Sequence, residues 1–167
     1  MPQAMHSKEA CQRFNEISWH DSELRSVFVN YSRTEPRSEY SYEIIIKVDL
    51  STRRTPLVGE VFAPIEVRFL HARYFCADLD LLGMGYCGGD ISQQAECFEE
   101  SAFKRQIFQT KIAQFDLPQD VTSWANLKHF HVYLCDPSGE INVIAEDFEI
   151  RSLPANNTND GQTITLI

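Results

Sequence analysis

The chain has 167 residues, of which 43% are hydrophobic and 11% aromatic, a balance typical of one globular domain with its own core rather than of a disordered or fibrous protein. With 24 Asp and Glu against 15 Lys and Arg, the formal net charge is −9, which disfavours nucleic acid and anionic membrane as partners. The longest aliphatic run, Ile44–Ile46, is far too short to span a membrane, and residues 1–21 contain no signal-peptide core, so we expect a cytoplasmic protein.

Five cysteines are scattered along the chain without any C-x-x-C pair. An odd number at such spacings indicates neither a disulfide framework nor a zinc knuckle. We therefore expect reduced, mostly buried thiols at Cys11, Cys76, Cys87, Cys97 and Cys135.

The first half of the chain is dominated by strand patterns. A polar lead-in with one or two helical turns over Lys8–Glu16 precedes Glu23–Tyr31, whose apolar residues occupy both parities and predict a strand covered on both faces. Thr34–Ser38 has the composition of a turn. From Glu39 to Leu50 hydrophobic and polar residues alternate, which predicts a half-buried antiparallel strand.

A long stretch of odd-numbered apolar residues follows, from Ile65 to Leu81, and it exceeds the length of an average strand. His71 and Arg73 are the polar exceptions on that parity. We therefore predict a bend at His71–Arg73, in a long strand that passes between two sheets.

Two patterns in this region suggest chemistry but have simpler explanations. Gly83–Gly88 matches G-x-G-x-x-G, yet antiparallel-type strands precede it and no acidic residue follows at the end of a second parallel strand, so a turn is favoured over a dinucleotide site. Asp78 and Asp80 alternate with core leucines, which favours solvent-facing carboxylates over an acid–base pair.

The second half begins with a predicted helix over Ser92–Phe108, although part of Ile107–Phe115 has the character of a strand. Alternation around Phe130–Leu134, followed by the turn Asp136–Gly139, predicts a hairpin with Ile141–Ile150. The apolar parity of the return strand changes between Ala145 and Phe148, as it does at a bulge.

These elements predict a mainly β fold with one helical segment, α+β at most, arranged as an antiparallel β-sandwich or a strongly bent sheet. We expect residues 1–153 to form a single globular domain and residues 154–167 to form a mobile tail. Thr163–Ile167 has enough β character to end that tail as an edge strand.

His129 and His131 are the strongest metal-ligand pattern. Two residues apart on one strand, their imidazoles point to the same face, where both could bind one ion. A third ligand would have to come from a distant segment, and His20, Asp21 and His71 are the candidates; we take His20 with His129 and His131 as the predicted metal site. The alternative is that both histidines simply occupy the wetter face of the strand.

An acidic segment is a candidate binding surface. It contains no Lys or Arg and carries the carboxylates of Asp136, Glu140, Glu146, Asp147 and Glu149. Such a segment attracts a cationic partner. The alternative is a solvated edge strand whose charge resists aggregation.

Trp19-His20-Asp21-Ser22 is the densest cluster of chemically capable side chains. Adjacent side chains on an extended segment point to opposite faces, so a His20–Asp21 dyad requires a sharp turn. We instead expect this motif to anchor the start of the first strand: Trp19 buries its ring, Asp21 or Ser22 accepts a backbone N–H, and His20 donates a hydrogen bond.

The same motif carries a resemblance. With the following alternating strand, a later Asp78-x-Asp80-Leu81 strand, a glycine-rich turn into Asp90-Ile91 and a closing hairpin, it resembles small bacterial proteins of unassigned function, some of them grouped with toxin-immunity proteins. The resemblance covers most of the chain. It implies a β-rich fold and no established catalytic residues.

These observations favour a non-enzymatic role, since no complete catalytic set and no cofactor motif is found. We expect an immunity-like module that presents acidic surface to a basic protein partner. The alternative is a metal-binding protein or metal-assisted enzyme that uses His129 and His131 with His20 or Asp21. A small-ligand pocket between two sheets would also suit the aromatic content, although no residue pattern identifies a ligand.

Overall fold

The structure is a computed structural model that describes residues 3–33, 40–51, 62–80, 90–91, 95–115, 124–136 and 138–154. The predicted turn at Thr34–Ser38, the glycine pattern Gly83–Gly88 and residues 155–167 of the predicted tail lie outside the described residues. The described elements are α1 (Gln3–Asn15), β1 (Glu23–Arg33), β2 (Tyr40–Ser51), β3 (Phe62–Leu70), β4 (Tyr74–Asp80), β5 (Asp90–Ile91), β6 (Glu96–Phe98), α2 (Ala102–Phe115), β7 (Lys128–Asp136), β8 (Ser138–Ala145) and β9 (Asp147–Ser152).

Every described strand pair is antiparallel, in the order β4-β8-β7-β5-β1-β2-β3-β9, with β6 also paired to β7. The short strand β5 is the connection between two halves, through the pairs Glu23–Asp90 and Ile91–Leu134. One half contains β1, β2, β3 and β9, and the other contains β4, β8, β7 and β6. The mainly β, antiparallel, strongly bent architecture predicted from the sequence is confirmed, with α1 as a second helix.

The chain crosses between the halves at His71–Arg73, as the interrupted parity predicts. His71 adopts a left-handed backbone conformation, with φ of 51°, which turns the chain sharply. The N–H of Ala72 then donates to the carbonyl of Tyr42 in one half, and the N–H of Arg73 donates to the carbonyl of Ile144 in the other, both at 2.8 Å. The corner is therefore bonded to both halves.

A second crossing lies beside the first and explains the parity change in the return strand. The chain bends at Glu146, whose N–H donates to the carbonyl of Leu70 at 3.1 Å. Ala145 and Phe148 are both buried because each faces the same core from a different half. The predicted irregularity is thus a passage from β8 in one half to β9 in the other.

The core between the halves is aromatic and is organised around α1. The ring of Phe14 lies 4.9 Å from Trp19, 6.1 Å from Phe69, and 5.1 Å from both Phe130 and Phe148. These partners come from both halves, and Phe14, Trp19, Phe69 and Phe130 are completely buried. Burial of each such ring stabilises the fold by roughly 2–3 kcal/mol, so α1 is part of the core rather than the short lead-in that the sequence suggests.

The prediction that β1 is covered on both faces is wrong at its far end. Leu24 and Val27 are buried, but Val29 is 48% exposed. Val29 shares the inward parity of Val27, and it is exposed because the sandwich is open at this end.

The helix predicted over Ser92–Phe108 is wrong in its first half. Glu96–Phe98 forms β6, because the edge of β7 offers hydrogen-bond partners to this short segment. The helix starts only at Ala102, where the Ser101 hydroxyl accepts the N–H of Lys104 at 3.0 Å and caps the first turn. It then continues through Ile107–Phe115, so no strand forms there.

The expectation of reduced thiols is wrong for Cys11 and Cys97, which form a disulfide between α1 and β6. Asn15 reinforces this junction: its Oδ1 accepts the N–H of Cys97 at 2.6 Å and its Nδ2 donates to the carbonyl of Cys97 at 3.2 Å. Cys76 is a free thiol, as predicted. Cys87 and the side chain of Cys135 lie outside the described residues.

Removal of this disulfide should destabilise the fold. The bridge closes a loop with a sequence separation of 86 residues, so a Cys11→Ser/Cys97→Ser variant should lose about 2–4 kcal/mol of unfolding free energy in urea titrations, because its unfolded chain is less restricted. A Cys76→Ser variant is the matched control and should lose less than about 1 kcal/mol. Alkylation of the unfolded, unreduced protein should label at most three of the five cysteines; labelling of all five would contradict the assignment.

Candidate functional site

The Trp19-His20-Asp21-Ser22 motif anchors the start of β1. Trp19 is buried, as predicted, and its Nε1 donates to the carbonyl of Phe14 at 3.1 Å. The Ser22 hydroxyl is also buried, and it accepts the N–H of Ser51 at 3.1 Å. That bond reaches the end of β2 rather than closing a local turn, so the motif ties together α1, β1 and β2.

His20 and Asp21 do meet, because the sharp turn that such a pair requires is present. Asp21 has a left-handed φ of 61°, and its Oδ2 lies 3.0 Å from Nδ1 of His20. Their side chains are 65% and 49% exposed. The pair is therefore a solvated surface contact, and such contacts contribute little to stability.

The two other histidines lie on the face of β7 that points away from the core. Phe130, Val132 and Leu134 point inward and are buried. Residues directly paired across an antiparallel sheet share a face, so the register assembles three rows of side chains. We call this surface the outer face: Tyr74, Ile144, His129 and Phe98 in the first row, Cys76, Asn142, His131 and Glu96 in the second, and Asp78, Glu140 and Tyr133 in the third.

His129 is buried beneath α2. Its Nε2 lies 2.8 Å from Oδ1 of Asn142 and its Nδ1 lies 3.0 Å from the hydroxyl of Ser101, while the ring of Phe103 stacks on it at 4.7 Å. Burial lowers the pKa of His129, which keeps the imidazole neutral at pH 7. With one ring proton, Nε2 donates to Asn142 and Nδ1 accepts from Ser101.

A nucleophile, a histidine and an asparagine linked in this order also occur in nucleophilic catalysis, with a cysteine as the nucleophile. Here the Ser101 hydroxyl already accepts the N–H of Lys104 as the cap of α2, and Phe103 covers the imidazole. The arrangement attaches α2 to the sheet, and it has the geometry of a structural contact.

His131 lies in a more open and more acidic environment. Its Nε2 is 2.7 Å from Oε2 of Glu140, and its ring lies 3.8 Å from that of Tyr133. Glu96 pairs directly opposite His131 on β6. Burial raises the pKa of Tyr133, and the negative charges of Glu96 and Glu140 raise it further. The fields of both carboxylates therefore converge on this part of the outer face.

The predicted metal site of His129, His131 and His20 does not assemble into a ligand cluster. The rings of His129 and His131 lie 5.6 Å apart, but His20 lies beside Asp21 in the turn before β1. Among the residues that the structure describes, which include all of these and His71, no three His, Cys, Asp or Glu side chains are grouped so as to hold a metal ion.

The predicted acidic surface is divided by the second crossing of the chain. Two of its carboxylates, Asp147 and Glu149, lie on β9. Asp147 pairs with Arg13 of α1 at 3.2 Å, and Glu149 pairs with Arg151 at 3.5 Å. Of the five carboxylates Asp136, Glu140, Glu146, Asp147 and Glu149, Glu140 lies on the outer face, Glu146 lies in the bend, and the side chain of Asp136 is outside the described residues.

Asp78, Glu96 and Tyr133 are site residues that the sequence analysis did not assign. Asp78 lies directly opposite Glu140, which in turn lies opposite Tyr133. The parity of Asp78 does predict that it faces away from the core. Its neighbours come from strands far along the chain, and their register is not a local property of the sequence.

Comparison with known proteins adds no relative: no family model, no curated protein and no solved structure matches the chain. The resemblance to toxin-immunity proteins therefore stays a prediction. Neither described helix has the length and apolar character that a membrane crossing requires.

The buried imidazole of His129 should make the fold sensitive to mild acid. Its folded pKa is lowered relative to the unfolded value of about 6.5, so the unfolded chain takes up the proton first as the pH falls. The stabilisation is fully present above the unfolded pKa and is lost progressively as the pH falls from about 6.5 toward the folded pKa.

Urea titrations between neutral pH and mild acid should show this slope in the parent protein and a reduced slope in His129→Gln. The exposed His20 offers a matched control, because His20→Gln should retain the parent slope. Equal slopes in the parent and in His129→Gln would refute the assignment of the titration to His129.

Proposed function

We propose that this chain is a non-catalytic, immunity-like domain that binds a basic protein partner through the outer face. The observation that carries the proposal is the distribution of charge between the two halves of the sandwich. The rows of the outer face contain two histidines and three carboxylates, those of Asp78, Glu96 and Glu140, but no Lys or Arg.

In the opposite half, which contains β1, β2, β3 and β9, carboxylates lie next to arginines. Arg25 lies within 2.9 Å of Glu23 and 2.6 Å of Asp49. Arg68 lies 3.0 Å from Glu66 and 4.0 Å from Glu43. These carboxylates lie next to guanidinium groups, whereas among the described residues the carboxylates of the outer face have no arginine or lysine beside them in its rows.

On the outer face, internal compensation is sparse. Glu140 pairs with His131, whereas Asp78 and Glu96 have no hydrogen-bond or ion-pair partner among the described side chains. Asp78 also lies directly opposite Glu140, and like charges in that position destabilise a sheet. A cation supplied by a partner would relieve this repulsion, which supports binding rather than stability as the reason for the arrangement.

The aromatic ring of Tyr133 adds a second recognition element. A Lys or Arg side chain that packs on this ring would gain a cation–π contact while its charge lies between Glu96 and Glu140. The negative field would also accelerate the encounter with a basic partner, and added salt would slow it. Because the chain has a net charge of −9, its field repels nucleic acid and anionic membrane, which are therefore poor partners.

From the sequence we also propose a cytoplasmic location, and the Cys11–Cys97 disulfide argues against it. Reducing compartments keep most thiols reduced, so a stable bridge favours an oxidising compartment. Alkylation of thiols in intact cells before lysis separates the two cases. Reduced Cys11 and Cys97 would support the cytoplasm, and a bridged pair would contradict it.

Partner capture from native-host lysate tests the proposed binding face. Asp78→Asn/Glu96→Gln/Glu140→Gln should weaken capture about tenfold, or about 1.4 kcal/mol, because the negative charge of the outer face is lost. Stability should be unchanged or slightly higher, since repulsion is relieved. The charge-matched control Glu43→Gln/Asp49→Asn/Glu149→Gln should capture the same partner as the parent.

Ionic strength provides the second arm of this experiment. Capture should decline as salt is raised, because exposed charges are screened. A partner that is indifferent to salt, or one that both triple variants lose equally, would count against recognition through the outer face.

A further inference from the structure

An apolar groove opens at the end of the sandwich, where β1 and β2 face the start of β4. Val29, Tyr42 and Ile44 line one side, and Tyr74 and Phe75 line the other. The groove is open to solvent on one side, and its volume is about 230 Å³. This site is separate from the acidic rows of the outer face, and the inference drawn from it does not rest on the proposed protein partner.

The groove exposes side chains that have the parity of the core. Val29 and Tyr42 share the inward face of their strands with the buried Val27 and Ile44, yet they are 48% and 45% exposed. Among the described residues, the other large hydrophobic side chain with comparable exposure is Ile150 on β9. Uncovered apolar surface gathered in one concave place is typical of a binding site.

The base of the groove is held rigidly. Ala72 and Arg73 form the corner between the halves, and their N–H groups donate to the carbonyls of Tyr42 and Ile144. One wall is thus hydrogen-bonded to this segment through Tyr42, and the other follows it directly in the chain at Tyr74 and Phe75. A ligand would find the groove already formed and would lose little affinity to ordering of the protein.

Arg73 places a cation at this apolar site. Its side chain is exposed, and among the described side chains it has no hydrogen-bond or ion-pair partner. By contrast, Arg25, Arg68 and Arg151 each contact a carboxylate. An unpaired guanidinium is complementary to an anion, and its planar donors match a carboxylate in particular.

We propose that this groove binds a small monocarboxylate whose apolar body is one aromatic ring or a short acyl chain, with its carboxylate on Arg73. The volume of the groove suits a small ligand. A cavity of about 150 Å³ engineered in another protein holds benzene, so the larger groove accommodates a single ring with a short linker. The apolar walls contact the ring, and Arg73 selects the acid over neutral analogues.

Hydrocinnamate and hydrocinnamyl alcohol are suitable probes, because they share one ring and linker and differ in charge. In calorimetric titrations the acid should bind about tenfold more tightly than the alcohol, as expected for one charge-assisted contact. Arg73→Gln should abolish that preference while leaving alcohol binding unchanged. Arg105→Gln, which removes an exposed arginine from α2, is the matched control and should retain the preference.

Methyl NMR locates the binding site independently. Saturable shifts should appear at Val29 on addition of the acid and should be absent at Ile150, which is similarly exposed but lies outside the groove. The proposal is overturned if neither probe binds saturably, if acid and alcohol bind equally to the parent, if Arg73→Gln retains the preference, or if Ile150 responds as strongly as Val29. Unchanged thermal unfolding of Arg73→Gln verifies that the variant is folded.

Discussion

The paired crossing of the chain between the two halves is the constraint on which the rest of the molecule depends. At one crossing β3 continues into β4, at the other β8 continues into β9, and the bond from the N–H of Glu146 to the carbonyl of Leu70 holds the two side by side. The left-handed conformation of His71, which costs about 1 kcal/mol or more, is maintained because the crossings bring rings from both halves onto Phe14. Because the sheet bends here, it encloses an aromatic core, exposes the opposite surface of each half, and leaves an open end where the groove forms.

The crossing also explains the separation of charge. The acidic segment is continuous in sequence, but its first part ends on β8 and its last part begins β9, so the carboxylates are distributed between opposite halves. On β9 they meet arginines, for example Glu149 with Arg151. On β8, Glu140 lies opposite Asp78 of β4, and Glu96 of β6 lies opposite His131 on the neighbouring strand β7. The outer face is therefore acidic because the fold brings together carboxylates from three strands, and not because any one segment is acidic.

Local patterns in the sequence predict the local features well and the long-range ones poorly. The alternation of polar and apolar residues predicts β2, and two polar residues in an otherwise apolar series predict the bend at His71–Arg73. Both predictions succeed because the direction of a side chain along a strand follows from the position of the residue in that strand. Strand β6 could not be predicted, since a segment of three residues forms a strand only where β7 offers an edge. The Cys11–Cys97 pair was missed for the same reason: it joins elements with a sequence separation of 86 residues, and neither count nor spacing reveals their contact. The grouping of Asp78, Glu96 and Glu140 likewise depends on register between three distant strands.

The His129-x-His131 spacing shows how one face of a strand can hold two different environments. Both imidazoles point outward from β7, as the period of the strand requires, and this is the property that suggested a shared metal ion. Helix α2 covers only the first row of the outer face, so His129 is desolvated and both its nitrogens are used by Asn142 and Ser101. One row along, His131 pairs with the carboxylate of Glu140, which is 44% exposed. A metal ion would need a free nitrogen from each ring, and on His129 the attachment of α2 already uses both. Spacing therefore fixes which face the two histidines share, while the tertiary neighbour that covers one row decides their chemistry.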